Sequence, residues 1–188
     1  ETQTAAPNVY WTDGYGRVSY TTNSIISPVV KIALKEFAGD MKAVTGFEAK
    51  EKNGAPIQIY QLDQLSNKEF SAVEKLGAPL HLIITGKDAF YIGTRKKKVV
   101  VIGSNARGTA YAIMKLSELA GVSPLMAWND LQPAQRKSLY TPVDQQWIEI
   151  PRIEFRGLAL NNSQWMKPQN YSRIARLMLR LRANTLWQ

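Results

Sequence analysis

The 188-residue sequence contains no cysteine, a single histidine and no apolar run long enough to cross a membrane. The absence of cysteine excludes disulfide bridges, thiol chemistry and cysteine-based metal sites. A membrane span requires about 18 consecutive apolar residues, and none of that length is present. One histidine, His81, cannot by itself indicate a metal site or a catalytic triad. Because it stands among apolar residues in PLHLII, we interpret His81 as a structural or hydrogen-bonded residue.

Acidic residues are scarce, which gives the chain a net charge of +9 at pH 7. Residues 151–188 carry seven basic side chains and one acidic one, Glu154. This asymmetry has two explanations, a polyanionic partner or a segment separated from acidic neighbours. The basic residues lie in two separate places, at residues 95–98 and 151–188, so we expect no nucleic acid partner. The basic run at residues 95–98 is interpreted as a solvated hairpin tip.

Glycoside hydrolysis needs a positioned pair of carboxyl groups. No such pair stands out here. Glu149 and Glu154 flank Pro151 on an expected edge segment, and we interpret both as surface charges.

The most clearly bounded segment is residues 99–128. A run of β-branched residues (99–102) predicts a strand buried on both faces, and the loop GSNARG follows it. Ser104 or Asn105 can cap the next helix, Gly108 permits close packing, and Gly121 ends that helix. The loop lacks the lysine and hydroxyl of a phosphate-binding loop, so we predict a tight strand-to-helix turn.

Periodicity predicts the remaining elements. The sequence indicates an α/β fold with a mixed sheet and packed helices, and a domain boundary near Gln146 that divides residues 1–146 from 147–188. Predicted helices cover residues 24–46, 67–77 and 168–183. Predicted strands cover residues 17–21, 56–62, 79–85, 155–160 and 184–187, with a hairpin over residues 89–102.

Residues 155–187 therefore read as strand, loop, helix and strand. One such unit cannot bury both faces of its sheet, so we expect it to begin a larger α/β domain. The alternative is that the unit adds to the first domain's sheet.

Several runs together resemble glycoside hydrolase family 115, whose members are α-glucuronidases acting on glucuronoxylan. The similarity covers roughly residues 89–188 and is more distant to families 20 and 67. It rests on VVIGSNARGTAYAIMKLSELAGVSPL, WNDL, PRIEFRGLALNN and LRLRANTLW.

The resemblance implies an α/β, sandwich-like accessory domain followed by the truncated start of a (β/α)8 barrel. It further implies a secreted or periplasmic glycoside hydrolase that acts on a polysaccharide or oligosaccharide, with no cofactor, no metal and no membrane partner. The catalytic residues would lie beyond Gln188, so we expect this chain alone to be structural and inactive. The alternative is a non-catalytic carbohydrate-binding or interaction module. If the resemblance holds, we expect the arginines of the last helix to be exposed because their acidic partners lie in the part of the protein that this chain lacks.

Three residues carry over from the resemblance as substrate-binding candidates. Arg156, in FRG, matches an arginine near the substrate in related enzymes. Asn161 matches the asparagine of the family's I-N-D-E run, while Asn162 and Ser163 replace its aspartate and glutamate. An asparagine cannot act on the substrate as an anion, so the replacement implies changed specificity or reduced activity. Apart from the resemblance, both asparagines are equally well explained as loop residues that cap the next helix.

Overall fold

The computed structural model describes residues 7–160 and 167–187. Among these, the helices are α1 (Pro28–Thr45), α2 (Asn67–Glu74), α3 (Leu80–Ile83), α4 (Ala106–Leu119) and α5 (Pro168–Arg180). The strands are β1 (Asn8–Tyr10), β2 (Ser19–Thr22), β3 (Lys50–Glu51), β4 (Ile57–Gln61), β5 (Phe90–Arg95), β6 (Lys98–Gly103), β7 (Tyr140–Pro142), β8 (Gln146–Glu149), β9 (Gly157–Ala159) and β10 (Thr185–Trp187).

A six-stranded mixed sheet organises the first part of the chain, in the order β3-β2-β4-β6-β5-β8. Strands β2, β3, β4 and β6 run parallel, whereas β5 is antiparallel to both β6 and β8. A separate antiparallel ribbon pairs β1 with β7. The mixed sheet with packed helices confirms the α/β prediction.

Helices cover both faces of this sheet. Helices α1 and α4 pack on one face, where Ile57, Ile59 and Val101 are buried, while α2 and α3 cover the other. Strand β6 has apolar side chains in both cores and is buried from Val99 to Gly103, as its β-branched run predicts. Burial of each large apolar side chain contributes about 1.5–3 kcal/mol, so β6 is a central source of stability.

The turn from β6 into α4 has the predicted form. The Asn105 side chain caps α4 by accepting a hydrogen bond from the Gly108 N–H at 2.8 Å. A Cβ atom at Gly103 would lie 2.1 Å from the Thr109 backbone nitrogen, and one at Gly108 would lie 2.3 Å from the Ala89 carbonyl oxygen. Both glycines are therefore required by close packing.

The predicted strand at residues 79–85 is wrong, because this segment forms the short helix α3. Leu80 and Ile83 lie three positions apart and both bury into the second core, which helical spacing allows. Short apolar runs do not distinguish a strand from a buried helical turn. His81 lies on the exposed side of α3, so it is not buried among the apolar residues that flank it in sequence.

Strand β8 spans the predicted boundary near Gln146 and completes the six-stranded sheet beside β5. The division of the chain into residues 1–146 and 147–188 stays a prediction. Downstream, β9 and β10 run parallel and are joined through α5. These two strands pair with each other in a sheet of their own, so the alternative that they extend the first sheet is wrong.

Candidate functional site

The predicted substrate-binding residues flank β9 in the sequence. Arg156 immediately precedes the strand, at its amino end, and Asn161 and Asn162 follow its carboxyl end. In barrels of parallel strands, sites form at the carboxyl ends and the amino ends serve stability. Asn161 and Asn162 lie outside the described residues, as does Ser163, so their role stays a prediction.

The Arg156 guanidinium is held by groups of this chain. Nη1 donates to the carbonyl oxygens of Ile153 and Glu154, and Nε donates to the Arg182 carbonyl oxygen at 2.9 Å. Nη2 donates to Oδ2 of Asp88 at 3.0 Å. A role for Arg156 in substrate binding also stays a prediction, but these four contacts already account for its placement.

Asp88 is the centre of this arrangement, with only 1 % of its side chain exposed. Besides Arg156, its carboxylate accepts hydrogen bonds from Arg107 at 2.9 Å, Asn105 at 3.1 Å and Asn184 at 3.3 Å. We refer to these five residues as the Asp88 cluster. The backbone at Asp88 is left-handed, with φ of +59°, a conformation that aspartate tolerates better than most residues.

The electrostatic balance of the cluster favours the ionised carboxylate. Burial raises the pKa of the Asp88 carboxyl, but hydrogen bonds from Arg107, Arg156 and Asn105 outweigh it and hold that pKa below its usual value. Asn184 also donates to the Glu154 carbonyl oxygen and accepts from the Arg156 backbone N–H. Arg156 and Asn184 precede β9 and β10 respectively, so one carboxylate holds the amino ends of both strands.

The arginines at the end of the chain have partners, contrary to the expectation that they are exposed without them. Arg180 is buried and makes two hydrogen bonds to the Asp40 carboxylate, at 2.8 and 2.9 Å, and one to Glu36. Arg176 also pairs with Glu36. Because both carboxylates lie on α1, these pairs fasten α5 to the first part of the chain.

Arg182 and Arg173 extend this seam. The Arg182 guanidinium pairs with Glu118 of α4 and lies 2.7 Å from the Glu149 carboxylate of β8. Arg173 lies over the ring of Trp128, with 4.5 Å between the guanidinium carbon and the ring centroid. The positive charge of residues 151–188 is therefore balanced by acidic residues of the first part of the chain. These residues are distant in sequence and come close only in the folded structure.

The outer face of β9 and β10 is apolar and open. A shallow depression of about 220 Å³ is lined there by Phe155, Gly157, Leu158, Ala159, Thr185 and Trp187. The Phe155 and Trp187 side chains are 72 % and 73 % exposed. Exposed apolar groups gathered on one face mark a surface that contacts something else.

Two carboxylates near the end of the first sheet are engaged in ion pairs. Glu149 and Glu154, which we interpreted as surface charges, pair with Arg182 and Lys87. In residues 7–160 and 167–187, no three acidic or histidine side chains gather in a way that could hold a metal ion. No helix in the same ranges is long and apolar enough to span a membrane.

Sequence reasoning missed Asp88 and Asn184. Asp88 follows Gly86 and Lys87 in what reads as an ordinary turn, and its partners come from three distant segments. The interaction that marks Asp88 is its pairing with Arg156 of the FRG motif. No local sequence pattern indicates that pairing.

Comparison with known proteins supports the resemblance read from the motifs. No family model matches the chain, and no curated protein matches it. Among solved structures, the chain is similar to the family GH115 4-O-methyl-α-glucuronidase BtGH115A, which has specificity for decorated arabinogalactans. That similarity has a TM-score of 0.78 and 26 % identity, and it covers 93 % of this chain and 25 % of the enzyme.

Two further structures share the fold. A Flavobacterium johnsoniae chitobiase of family GH20 has a TM-score of 0.60 at 17 % identity, covering 97 % of this chain and 25 % of the enzyme. A mutant Streptomyces plicatus β-hexosaminidase has a TM-score of 0.61 at 14 % identity, covering 97 % and 32 %. The chain thus spans a quarter to a third of these glycoside hydrolases and, as its motifs predicted, resembles a part of a family 115 enzyme.

Proposed function

We propose that this chain forms the accessory domain and the first barrel unit of a glycoside hydrolase that removes glucuronosyl groups from plant polysaccharide such as glucuronoxylan. The observation that carries the proposal is the parallel β9–α5–β10 unit, docked on an α/β domain, in a chain similar to a quarter of a 4-O-methyl-α-glucuronidase. The activity belongs to the longer protein in this proposal, and the chain alone is inactive.

In this proposal β9 is the first barrel strand, α5 the first barrel helix and β10 the second strand. The exposed apolar face that carries Phe155 and Trp187 supports it, since the remaining strands of a barrel would cover such a face. The ion pair from α5 to α1 and the pair from Arg182, just after α5, to α4 also support it, because they fix the orientation of the unit without help from other strands.

The substrate is best defined by the group that is removed. The similar enzyme is a 4-O-methyl-α-glucuronidase specific for decorated arabinogalactans, whereas the sequence resemblance implied glucuronoxylan. Both polysaccharides present the same uronosyl group on different backbones. We therefore assign a 4-O-methylglucuronosyl linkage as the target, with glucuronoxylan as the first substrate to test.

Asn161 and Asn162 enter the proposal as residues that contact the sugar. They follow the carboxyl end of β9, and an amide both donates and accepts hydrogen bonds, which suits hydroxyl groups. The position of Arg156 at the amino end, bound to Asp88, favours a scaffolding role for that residue. Secretion or a periplasmic location completes the proposal, because polysaccharides of this kind lie outside the cell.

The test is to express the longer protein that contains this chain and to measure uronic acid release. We expect 4-O-methylglucuronic acid from glucuronoxylan or arabinogalactan, quantified by anion-exchange chromatography, and none from the 188-residue chain alone. Asn162→Asp, which restores the family's carboxylate, should change the rate or the preference between the two polysaccharides. A longer protein that folds but releases no uronic acid from either polymer would refute the proposal.

A further inference from the structure

A second surface lies at the end of the six-stranded sheet where the parallel strands begin, on the far side from the Asp88 cluster. Asn105 and Gly108 lie just past the carboxyl end of β6, whereas Lys98 begins that strand at the other end. Because β2, β3, β4 and β6 are mutually parallel, their first residues line up along the same edge. Two grooves, of about 700 and 380 Å³, open there.

The larger groove lies where β2 and β3 begin and α1 ends. Its lining contains four basic side chains, from Arg17, Lys42, Lys50 and Lys52. The ring of Phe47, also in the lining, is 46 % exposed. Beside the groove, the Arg17 guanidinium lies 5.0 Å from the ring centroid of Tyr15, which is 77 % exposed. Two open aromatic rings therefore border a basic groove.

The acidic residues of the larger groove are already engaged. Asp13 pairs with Arg17 at 3.0 Å, Glu48 pairs with Lys42 at 3.3 Å, and the Glu51 carboxylate accepts hydrogen bonds from Thr22. Within the described part of the chain, neither the Lys50 nor the Lys52 ammonium forms an ion pair. Thr22 does not neutralise Glu51, so four basic side chains face three carboxylates and the lining keeps one net positive charge.

The smaller groove has the same character. Lys97, Lys98 and Tyr10 line it, and Tyr10 packs against Tyr140 across the β1–β7 ribbon with 5.7 Å between ring centroids. Lys98 Nζ donates to the carbonyl oxygens of Gly54 and Ala55, so it fixes the loop between the two grooves. Lys97, at the hairpin tip, stays exposed.

We propose that these two grooves form one binding site for an acidic oligosaccharide whose uronic acid carboxylates pair with Lys50, Lys52 and Lys97. Exposed rings offer flat apolar surfaces to the faces of sugar rings, and the ammonium groups supply charge-assisted hydrogen bonds to carboxylates. The choice of a uronic acid as the anion rests on the proposed function. Because the site lies at the opposite edge from the docked β9–α5–β10 unit, a chain bound here would be retained without occupying the barrel.

The test measures binding by the 188-residue chain itself, by ¹H–¹⁵N NMR titration and by calorimetry. The probes are a 4-O-methylglucuronosyl xylo-oligosaccharide and the neutral xylo-oligosaccharide of equal length. We expect the acidic probe to bind at least tenfold more tightly, with amide shifts confined to residues 8–19, 42–56 and 97–98. Binding should weaken steeply as salt is added, since ion pairs in solvent are screened.

The variant Lys50→Glu combined with Lys97→Glu should raise the dissociation constant at least tenfold. Lys68→Glu combined with Lys75→Glu, which reverses two exposed lysines in and next to α2, should leave it within twofold of the unaltered chain. Equal binding of the two probes, amide shifts elsewhere or tighter binding of duplex DNA would overturn the inference. Binding is measured without catalysis, so uronic acid release by the longer protein with no binding here would refute this site alone.

Discussion

The Asp88 carboxylate and the Arg156 guanidinium lie 3.0 Å apart although 68 positions separate them in sequence. Asp88 lies two residues before β5, and Arg156 directly precedes β9, so this ion pair joins the six-stranded sheet to the β9–β10 sheet. A second arginine and two asparagines share the same carboxylate. The pair therefore sets where the β9–α5–β10 unit begins relative to the first sheet.

Asp88→Asn should weaken this junction while preserving the shape of the side chain. The neutral amide leaves Arg107 and Arg156 without their anion, and we expect a loss of about 1.5–3 kcal/mol in unfolding free energy, the range for hydrogen bonds to charged groups. Urea denaturation measures the loss. Asp13→Asn removes the solvent-exposed pair with Arg17, so it is a matched control that should change stability far less than Asp88→Asn does. Equal effects of the two variants would contradict the central role of Asp88.

The contribution of Asp88 should also depend on pH. Its pKa in the folded chain is lowered, so folding favours the ionised form relative to an unfolded value of about 3.9. The associated stability is fully present above that unfolded value and is lost as the pH falls through the lower, folded pKa. We expect the difference in unfolding free energy between the unaltered chain and Asp88→Asn to shrink below about pH 4. A constant difference from pH 7 down to pH 3 would show that the charge of Asp88 is not the cause.

Gly157→Ala should separate β9 from β10. A Cβ atom at this position would lie 1.6 Å from the Thr185 carbonyl oxygen, which is backbone and cannot move aside cheaply. We expect faster hydrogen exchange at residues 158–160 and 185–187, with unchanged protection of β6. Gly14→Ala is the control, because a Cβ atom there meets nothing within 4 Å. Unaltered exchange in Gly157→Ala would mean that the two strands do not pair as described.

Arg180→Leu should detach α5 from α1. The substitution leaves the Asp40 carboxylate buried without its cation, and breaking such a buried pair costs about 3–5 kcal/mol. The double variant Arg180→Leu, Asp40→Leu removes both charges and should recover a large part of that loss. Thermal unfolding followed by circular dichroism compares both variants with the unaltered chain and with the single variant Asp40→Leu. If the double variant is as unstable as the sum of the two single variants, the ion pair is not coupled.

The elements that sequence patterns predicted correctly are those with local signals at both ends. The β6–α4 segment has β-branched residues, an asparagine cap and two glycines, each acting within a few positions. By contrast, α3 consists of four residues whose apolar run fits either structure, and only packing into the second core decides between them.

The candidate site was harder to predict for a related reason. Arg156 was found through a family motif, but its partner Asp88 lies in another segment, and a pairing across 68 positions leaves no periodic trace. The excess positive charge of residues 151–188 was visible, but its cause was not, because the matching acidic residues are dispersed over α1, α4 and β8.

The pairing of β1 with β7 has a consequence for the order in which the molecule can fold during synthesis. The Trp11 indole N–H donates to the Thr141 hydroxyl at 2.8 Å in the buried core. Strand β1 therefore cannot pair until β7, about 130 positions later, has been synthesised. Closing so large a loop is entropically costly and slow. Strand β8 and then the arginines of α5 follow it out of the ribosome. The acidic side chains of α1 and α4 are thus synthesised well before the arginines that will neutralise them. The nascent protein therefore exposes a negatively charged surface to which residues 168–182 bind once they have been synthesised.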